Sequence, residues 1–249
     1  MVERVVIGDA TLYCGDCATV LPTLAANSID LLWTDPPYGN SNHEGDFNAR
    51  LNEHRAIESK PIANDDLASM QQVNNMMLRE AVRLCKPISA ICACCGGGGG
   101  GGPTPVFAWL AQRMDAAGLT FFHSVIWDKK NPGIGWRYRR QHEMIMVAHR
   151  SDGKLSWADE NVQQPNIISL FPPKERQHPN EKPLALMELF IQNHSLAGDV
   201  VLDSFMGSGS TGVAALKLKR KFIGIELDPA HFATACRRIE EASKQDSLF

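Results

Sequence analysis

Asp199-Val-Val-Leu-Asp203-Ser-Phe-Met-Gly-Ser-Gly-Ser-Thr-Gly212 runs from a short apolar stretch into a Gly-rich turn. Val213-Ala-Ala-Leu-Lys-Leu218 then reads as a helix. Strand, glycine turn and helix N-terminus together make a ligand cradle. Glycines let the backbone approach a ligand, and the first-turn N–H groups with the helix dipole favour a phosphate or a carboxylate. The lysine of a phosphate-binding P-loop is absent, and the spacing misses the G-x-G-x-x-G dinucleotide pattern.

Working outward, Lys221-Phe-Ile-Gly-Ile225 reads as the next strand and ends in Glu226-Leu227-Asp228-Pro229. An acid at such a strand end holds a ribose diol in doubly wound folds. Asp228, standing before Pro229, is suited to cap the following helix, which leaves Glu226 for the ribose. A cofactor with a carboxylate and a ribose, and no required pyrophosphate, suggests S-adenosylmethionine.

Far upstream, Ile29-Asp-Leu-Leu-Trp-Thr34 reads as a buried strand running into Asp35-Pro36-Pro37-Tyr38. The two prolines remove backbone donors, so the carbonyls of Asp35 and Pro36 stand as acceptors. A carboxylate beside a fixed carbonyl suits a planar amino group, and Tyr38 offers a face for stacking. Together they suit the exocyclic amine of a nucleobase taken out of its helix. The plainer alternative for the tetrapeptide alone is a Pro-Pro turn with a surface tyrosine.

Asp35-Pro-Pro-Tyr38, His178-Pro-Asn-Glu-Lys-Pro183, Asp203-Ser-Phe-Met-Gly-Ser-Gly209 and Gly224-Ile-Glu-Leu-Asp-Pro229 occur in that order. The chain thereby resembles the beta-group amino DNA methyltransferases, in which the catalytic half precedes the cofactor loop, a circularly permuted order. Protein-glutamine and ribosomal-RNA methyltransferases with a similar Pro-Pro-Tyr normally carry the glycine loop first. The resemblance implies that Asp35 and the Pro36 carbonyl, on the turn formed with Pro37, bind the target amine, and that Tyr38 stacks on the flipped base. It implies that Phe205, Gly207 and Gly209, with Asp203, Ser208, Ser210 and Thr211, line the methionine end of the cofactor. Glu226, with Leu227 beside it, takes the ribose, and Asp16, with Cys17, reads the cofactor adenine. His178 to Pro183 close over the cofactor carboxylate, with Asn180 among them and Lys182 as the charged partner. Ser204 stands where the family often has proline, and Asn180 where threonine is common; neither removes a group the chemistry needs. Asp35 favours adenine N6, since serine is the usual residue of the cytosine-N4 enzymes.

A chain of 249 residues, 44% hydrophobic and 21% charged, fits one α/β domain spanning 1–249. Within it, 39–64 would form a catalytic-side loop, and about 129–177 an inserted DNA- or target-recognition region. The expected fold is a doubly wound, mostly parallel sheet with helices on both faces, that of S-adenosylmethionine-dependent methyltransferases. No apolar run reaches a membrane span and the N-terminus lacks a secretory pattern, so a cytoplasmic protein of prokaryotic or phage origin is expected. Seven cysteines fit a reducing compartment. Cys14 and Cys17 with Cys92, Cys94 and Cys95 could be read as zinc ligands. The second group lacks C-x-x-C spacing, however, and the chemistry needs no metal.

The formal net charge is −3, yet residues 126–182 hold ten Lys or Arg against seven Asp or Glu. Lys129 and Lys130 precede Trp136-Arg137-Tyr138-Arg139-Arg140, where basic and aromatic residues interleave as at a nucleic-acid surface. Lys129, Lys130, Arg137, Arg139 and Arg140 are the candidate contacts to double-stranded DNA; a solvated basic loop is the plain alternative. A homodimer and a restriction-endonuclease partner both stay open.

Strands are expected near 3–7, 29–33, 88–93, 121–127, 143–148, 199–203 and 221–225. Helices are expected near 66–85, with Asp65 or Asp66 as cap, and at about 104–117, 183–196, 210–218 and 229–244. Gly96 to Gly102, seven glycines in a row, can be neither a stable helix nor a stable strand. An inactive DNA-binding module that keeps the cofactor fold is the competing class of function, and intact Asp35, Tyr38, Gly207 and Gly209 argue against such decay.

Overall fold

The computed structural model describes residues 2–38, 66–95, 106–132, 139, 141–173 and 181–246. The 39–64 loop, Asp65, the Gly96–Gly102 run, Trp136, Arg137, Tyr138, Arg140, His178 and Asn180 lie outside the described residues. The strands are β1 (Glu3–Ile7), β2 (Ala10–Cys14), β3 (Ile29–Thr34), β4 (Cys85–Cys94), β5 (Leu119–Asp128) and β6 (His142–Arg150). They continue with β7 (Lys154–Leu155), β8 (Ile167–Ser169), β9 (Val200–Asp203) and β10 (Lys221–Glu226). The helices are α1 (Cys17–Val20), α2 (Leu67–Leu84), α3 (Val106–Ala117), α4 (Leu184–His194), α5 (Ser210–Lys217) and α6 (Pro229–Asp246).

The sheet runs β1-β2-β10-β9-β3-β4-β6-β5-β8, with β7 pairing β4 off this path. From β2 to β4 every pairing is parallel. β4 with β6 and β5 with β6 are antiparallel. β3 is buried at every position because it lies mid-sheet with both faces covered. Leu31 and Trp33 pack with Leu186 and Phe190 of α4 and with residues of α5 and α6. Ile29 and Leu32 pack on the other face with Met77 and Leu78 of α2 and Leu110 of α3. The sheet is therefore doubly wound, as the alternation of strands and helices implies. Asp30 faces neither apolar layer freely: its carboxylate accepts from Lys86 Nζ at 2.6 Å and Val200 N at 2.9 Å, so the buried charge is paired.

The start of α2 follows its sequence signal, since Asp66 accepts from the Ser69 N–H at 3.0 Å. β2 has no counterpart among the expected strands. It forms a hairpin with β1 through Gly8 (φ +54°) and Asp9, then takes a parallel place beside β10. β7, β8 and α1 are also additions; each is no longer than four residues, too short for periodicity to mark. Among the described residues, no helix is long and apolar enough to cross a membrane.

Candidate active site

Four neighbouring parallel strands, β2, β10, β9 and β3, bring their carboxyl ends to one edge of the sheet. Asp16 follows β2, Glu226 ends β10, Asp203 ends β9 and Asp35 follows β3. Residues more than 200 positions apart in the chain thus share the edge at which open α/β sheets bind ligands.

At the β9 end the loop turns through Gly207 (φ +53°) and Gly209 (φ +83°), a left-handed backbone that side chains rarely adopt. A Cβ at Gly209 would sit 2.9 Å from Ala235 Cβ on α6, whereas one at Gly207 would meet nothing within 4 Å. Gly209 is a packing glycine, and Gly207 leaves room for a ligand. Glu226 fastens the loop: its carboxylate accepts from Gly207 N at 2.9 Å and Asp228 N at 2.8 Å. Burial pushes Glu226 above the usual carboxylate range, and those two N–H groups hold it back. Asp228 caps α6 through Ala230 N at 2.7 Å and His231 N at 3.0 Å, the cap expected of it.

Asp203 is buried and accepts from Thr211 Oγ1 at 2.6 Å and Phe205 N at 3.1 Å. Burial outweighs both bonds and pushes its carboxyl up to about 7. A carboxylate raised in the folded protein contributes stability that is present below its unfolded value and lost as pH rises through the folded value. Asp203→Asn is therefore expected to gain stability relative to the parent as pH rises from about 4 to about 7, with the difference constant above that. Urea melts at pH 5 and pH 8 check this, and a pH-independent difference overturns the assignment.

Asp16 accepts from Ala18 N at 2.8 Å and so caps α1, with Cys17 buried directly after it. Ser208 and Ser210 lie at the start of α5, and Arg238 of α6 donates to Ser208 O at 2.9 Å, Ser208 Oγ at 2.8 Å and Ser210 Oγ at 3.3 Å. Arg238 also pairs with Glu181 at 2.7 Å. Leu227 is exposed at the rim. Arg238 had no motif to mark it, and Glu181 stood within His178–Pro183 without a role of its own.

At the β3 end the Asp35 carboxylate accepts from the Tyr38 hydroxyl and from the Lys182 ammonium. In this structure the Lys182 charge is taken by Asp35 and, at 3.4 Å, by Glu143. Burial pulls the ammonium down, but Asp35 and Glu143 outweigh it and hold Lys182 above its usual range. Asn74 of α2 braces the turn, donating to Pro37 O at 3.4 Å and to Met70 O at 2.9 Å. Tyr38 is half-buried against the core, not a surface ring, and burial and Asp35 keep its hydroxyl protonated far above the usual range.

β4, β6 and β5 bring the candidate DNA surface to the same edge. Lys129 follows β5, pairs with Glu143 at 2.5 Å and lies 5.1 Å from the centre of the Trp127 ring. Lys130 lies 5.3 Å from the Phe171 ring, and Arg139 donates to Pro132 O at 3.1 Å. Cys92, Cys94 and Cys95 are buried free thiols around β4, and among the described residues no cluster of acids, histidines and cysteines could hold a metal ion.

The family model described as DNA methylase matches residues 29–237. The chain belongs to the N6/N4 DNA methylase family. Among curated relatives, the methylase is 27% identical to the type II methyltransferase M.HinfI of Haemophilus influenzae, over 93% of this chain and 68% of that protein. It is 26% identical to the type II methyltransferase M2.MboI of Moraxella bovis, over 92% of this chain and 87% of that one. Its fold matches the PvuII DNA methyltransferase (cytosine-N4-specific) with a TM-score of 0.72 at 20% identity, over 96% of this chain and 92% of that chain. It matches the M1.HpyAVI–SAM complex with a TM-score of 0.67 at 24% identity, over 92% and 98%. The methylase therefore carries the methyltransferase fold with the Asp-Pro-Pro-Tyr turn ahead of the glycine loop.

Tyr38 gives a test within this site. Tyr38→Phe keeps the stacking ring and is expected to be the milder of two changes in single-turnover methyl transfer. Tyr38→Ala removes the ring as well, and about 1–3 kcal/mol of stacking with it. Equal losses from the two substitutions would assign the function to the hydroxyl.

Proposed function

We propose that the protein transfers a methyl group from S-adenosylmethionine to the N6 amine of an adenine flipped out of duplex DNA. The observation that carries this reading is the placement of Asp35 and the glycine loop on one sheet edge, with the basic residues after β5 beside them. The cofactor fits the residues present. Gly207 leaves open space, and among the described residues the buried Thr34 Oγ1 and Ser204 Oγ lack hydrogen-bond partners at the ends of adjacent β3 and β9. Phe205, Gly207 and Ser208 would hold its methionine end, Glu226 its ribose and Asp16 its adenine. When bound, it supplies a methyl group already activated on a sulfonium.

The chain itself supplies acceptors and position. The nitrogen of an aromatic amine is a poor nucleophile because its lone pair is shared with the ring. Asp35 and the Pro36 carbonyl accept its two protons' hydrogen bonds, favour a more tetrahedral nitrogen and stabilise the positive charge that grows there. Holding the amine in line supplies much of the remaining acceleration. The proton leaves to solvent after transfer. Lys129, Lys130 and Arg139 would neutralise backbone phosphates near this edge.

The test is incubation with unmethylated DNA and methyl-labelled cofactor, followed by digestion to nucleosides and mass analysis. N6-methyladenine is expected. N4-methylcytosine in its place would overturn the choice of base, and no transfer to any base would leave a DNA-binding module.

A further inference from the structure

Glu143 is the second residue of β6, directly before the apolar run Met144 to Ala148, and it is a charge that no motif assigned. Its side chain is 17% exposed. One oxygen pairs with Lys129 at 2.5 Å and the other faces Lys182 at 3.4 Å. Lys182, whose side chain is 6% exposed, stands between Glu143 and Asp35. The four charges form a chain from the basic surface to the carboxylate that receives the target amine: Lys129, Glu143, Lys182, Asp35.

That chain poses an electrostatic problem for the reaction. Methyl transfer forms an N–C bond, breaks the C–S bond and leaves a positive charge on the amine nitrogen until its proton departs. Lys182 is already a cation on Asp35. Left alone, it would cancel the acceptor and repel the charge that Asp35 is meant to stabilise. Glu143 is the second anion within reach of Lys182. We propose that Glu143 is a positioning residue for methyl transfer: it draws Lys182 toward β6 and offsets its charge, so that Asp35 faces the amine as a net anion. Lys129 makes this responsive to DNA. Paired as observed, the four groups sum to zero. When a backbone phosphate draws Lys129 away, Glu143 turns wholly to Lys182 and the remaining three carry a net charge of −1. The site then becomes suited to a cationic transition state when DNA is present. Burial pushes the Glu143 carboxyl up, but Lys182 and Lys129 outweigh it and hold it below its usual range, so the anion persists.

This inference rests on Asp35 receiving the target amine. The experiment is steady-state and single-turnover methyl transfer by Glu143→Gln and Glu143→Asp, with Asp35→Ala in parallel. Glu143→Gln keeps the shape and removes the charge. Its kcat is expected to fall at least about tenfold, with cofactor affinity unchanged. The DNA KM should stay unchanged or fall, because Lys129 loses its internal partner. Glu143→Asp is expected to recover part of the rate. A Glu143→Gln kcat equal to the parent's, a raised DNA KM, or a rate loss matched by the unfolded fraction in a circular-dichroism melt overturns the inference. An Asp35→Ala protein of full activity overturns the underlying reading instead.

Discussion

Asp35→Ala is expected to abolish methyl transfer while cofactor binding survives. The side chain faces Tyr38 and Lys182 at the end of β3, whereas the loop of Gly207 and Gly209 follows the neighbouring strand β9. Removing one preorganised group that stabilises transition-state charge costs about 10²–10³ in kcat. Here the loss should be larger, since the remaining Lys182 ammonium would stand at the amine with Glu143, at 3.4 Å, as its counter-charge. The same substitution breaks a buried ion pair, a change that costs about 3–5 kcal/mol when one partner is left behind; Glu143 at 3.4 Å recovers part of it. Asp35→Asn separates the two effects, because it keeps the volume and an acceptor oxygen. Calorimetric titration of cofactor into both variants, beside their turnover, is the measurement. Turnover near the parent's in either variant would sink the assigned role, and lost cofactor affinity would place Asp35 on the cofactor instead.

Gly209→Ala and Gly207→Ala should part company although both residues have positive φ. Any side chain in the left-handed region costs about 1–2 kcal/mol. At Gly209 the new Cβ also meets Ala235 Cβ at 2.9 Å, Ala235 Cα at 3.0 Å and Ile239 Cδ1 at 3.3 Å. Two of those are atoms of a buried alanine that cannot turn aside, so overpacking adds about 1–3 kcal/mol. Gly209→Ala is expected to lower stability by the sum of both costs. Gly207→Ala should lower it by the first alone and weaken cofactor binding disproportionately, because its methyl enters the open space of the loop. Urea unfolding and cofactor titration distinguish them. Unchanged cofactor affinity in Gly207→Ala would move the ligand to another face of the loop.

The frame was legible because its signals are local. The apolar runs at 29–34 and 199–203, the acid that ends each strand and the helices between them follow from period and capping. Asp228 capped its helix as its neighbour Pro229 implied. The fifth parallel strand, β2, was missed because the alternation of Ala-Thr-Leu-Tyr-Cys spans only five residues; Gly8-Asp9 before it was the turn signal available. Contacts across the sheet were less legible. Nothing near Lys182 in sequence says that its ammonium reaches Asp35, 147 positions away, rather than the glycine loop. Glu143 could have been noticed as a charge directly before an apolar run, but its two lysine partners come from different elements. Tyr38 was legible as a ring and not as a hydroxyl donor, since the turn that folds it back on Asp35 is a matter of geometry.

The order of strands has a consequence for the making of the protein. β2 finds its parallel neighbour in β10, and β3 finds one of its two in β9, so the middle of the sheet pairs segments far apart in sequence. On the ribosome, β2 and β3 emerge long before β9 and β10, and each waits with one ladder of backbone groups unpaired. Such long-range parallel pairings close slowly. Waiting strand edges are also where nascent chains stick to one another. Asp35 is synthesised well before the loop of Gly207 and Glu226. A chain halted before Glu226 would display Asp35 without the loop that Glu226 fastens beside it.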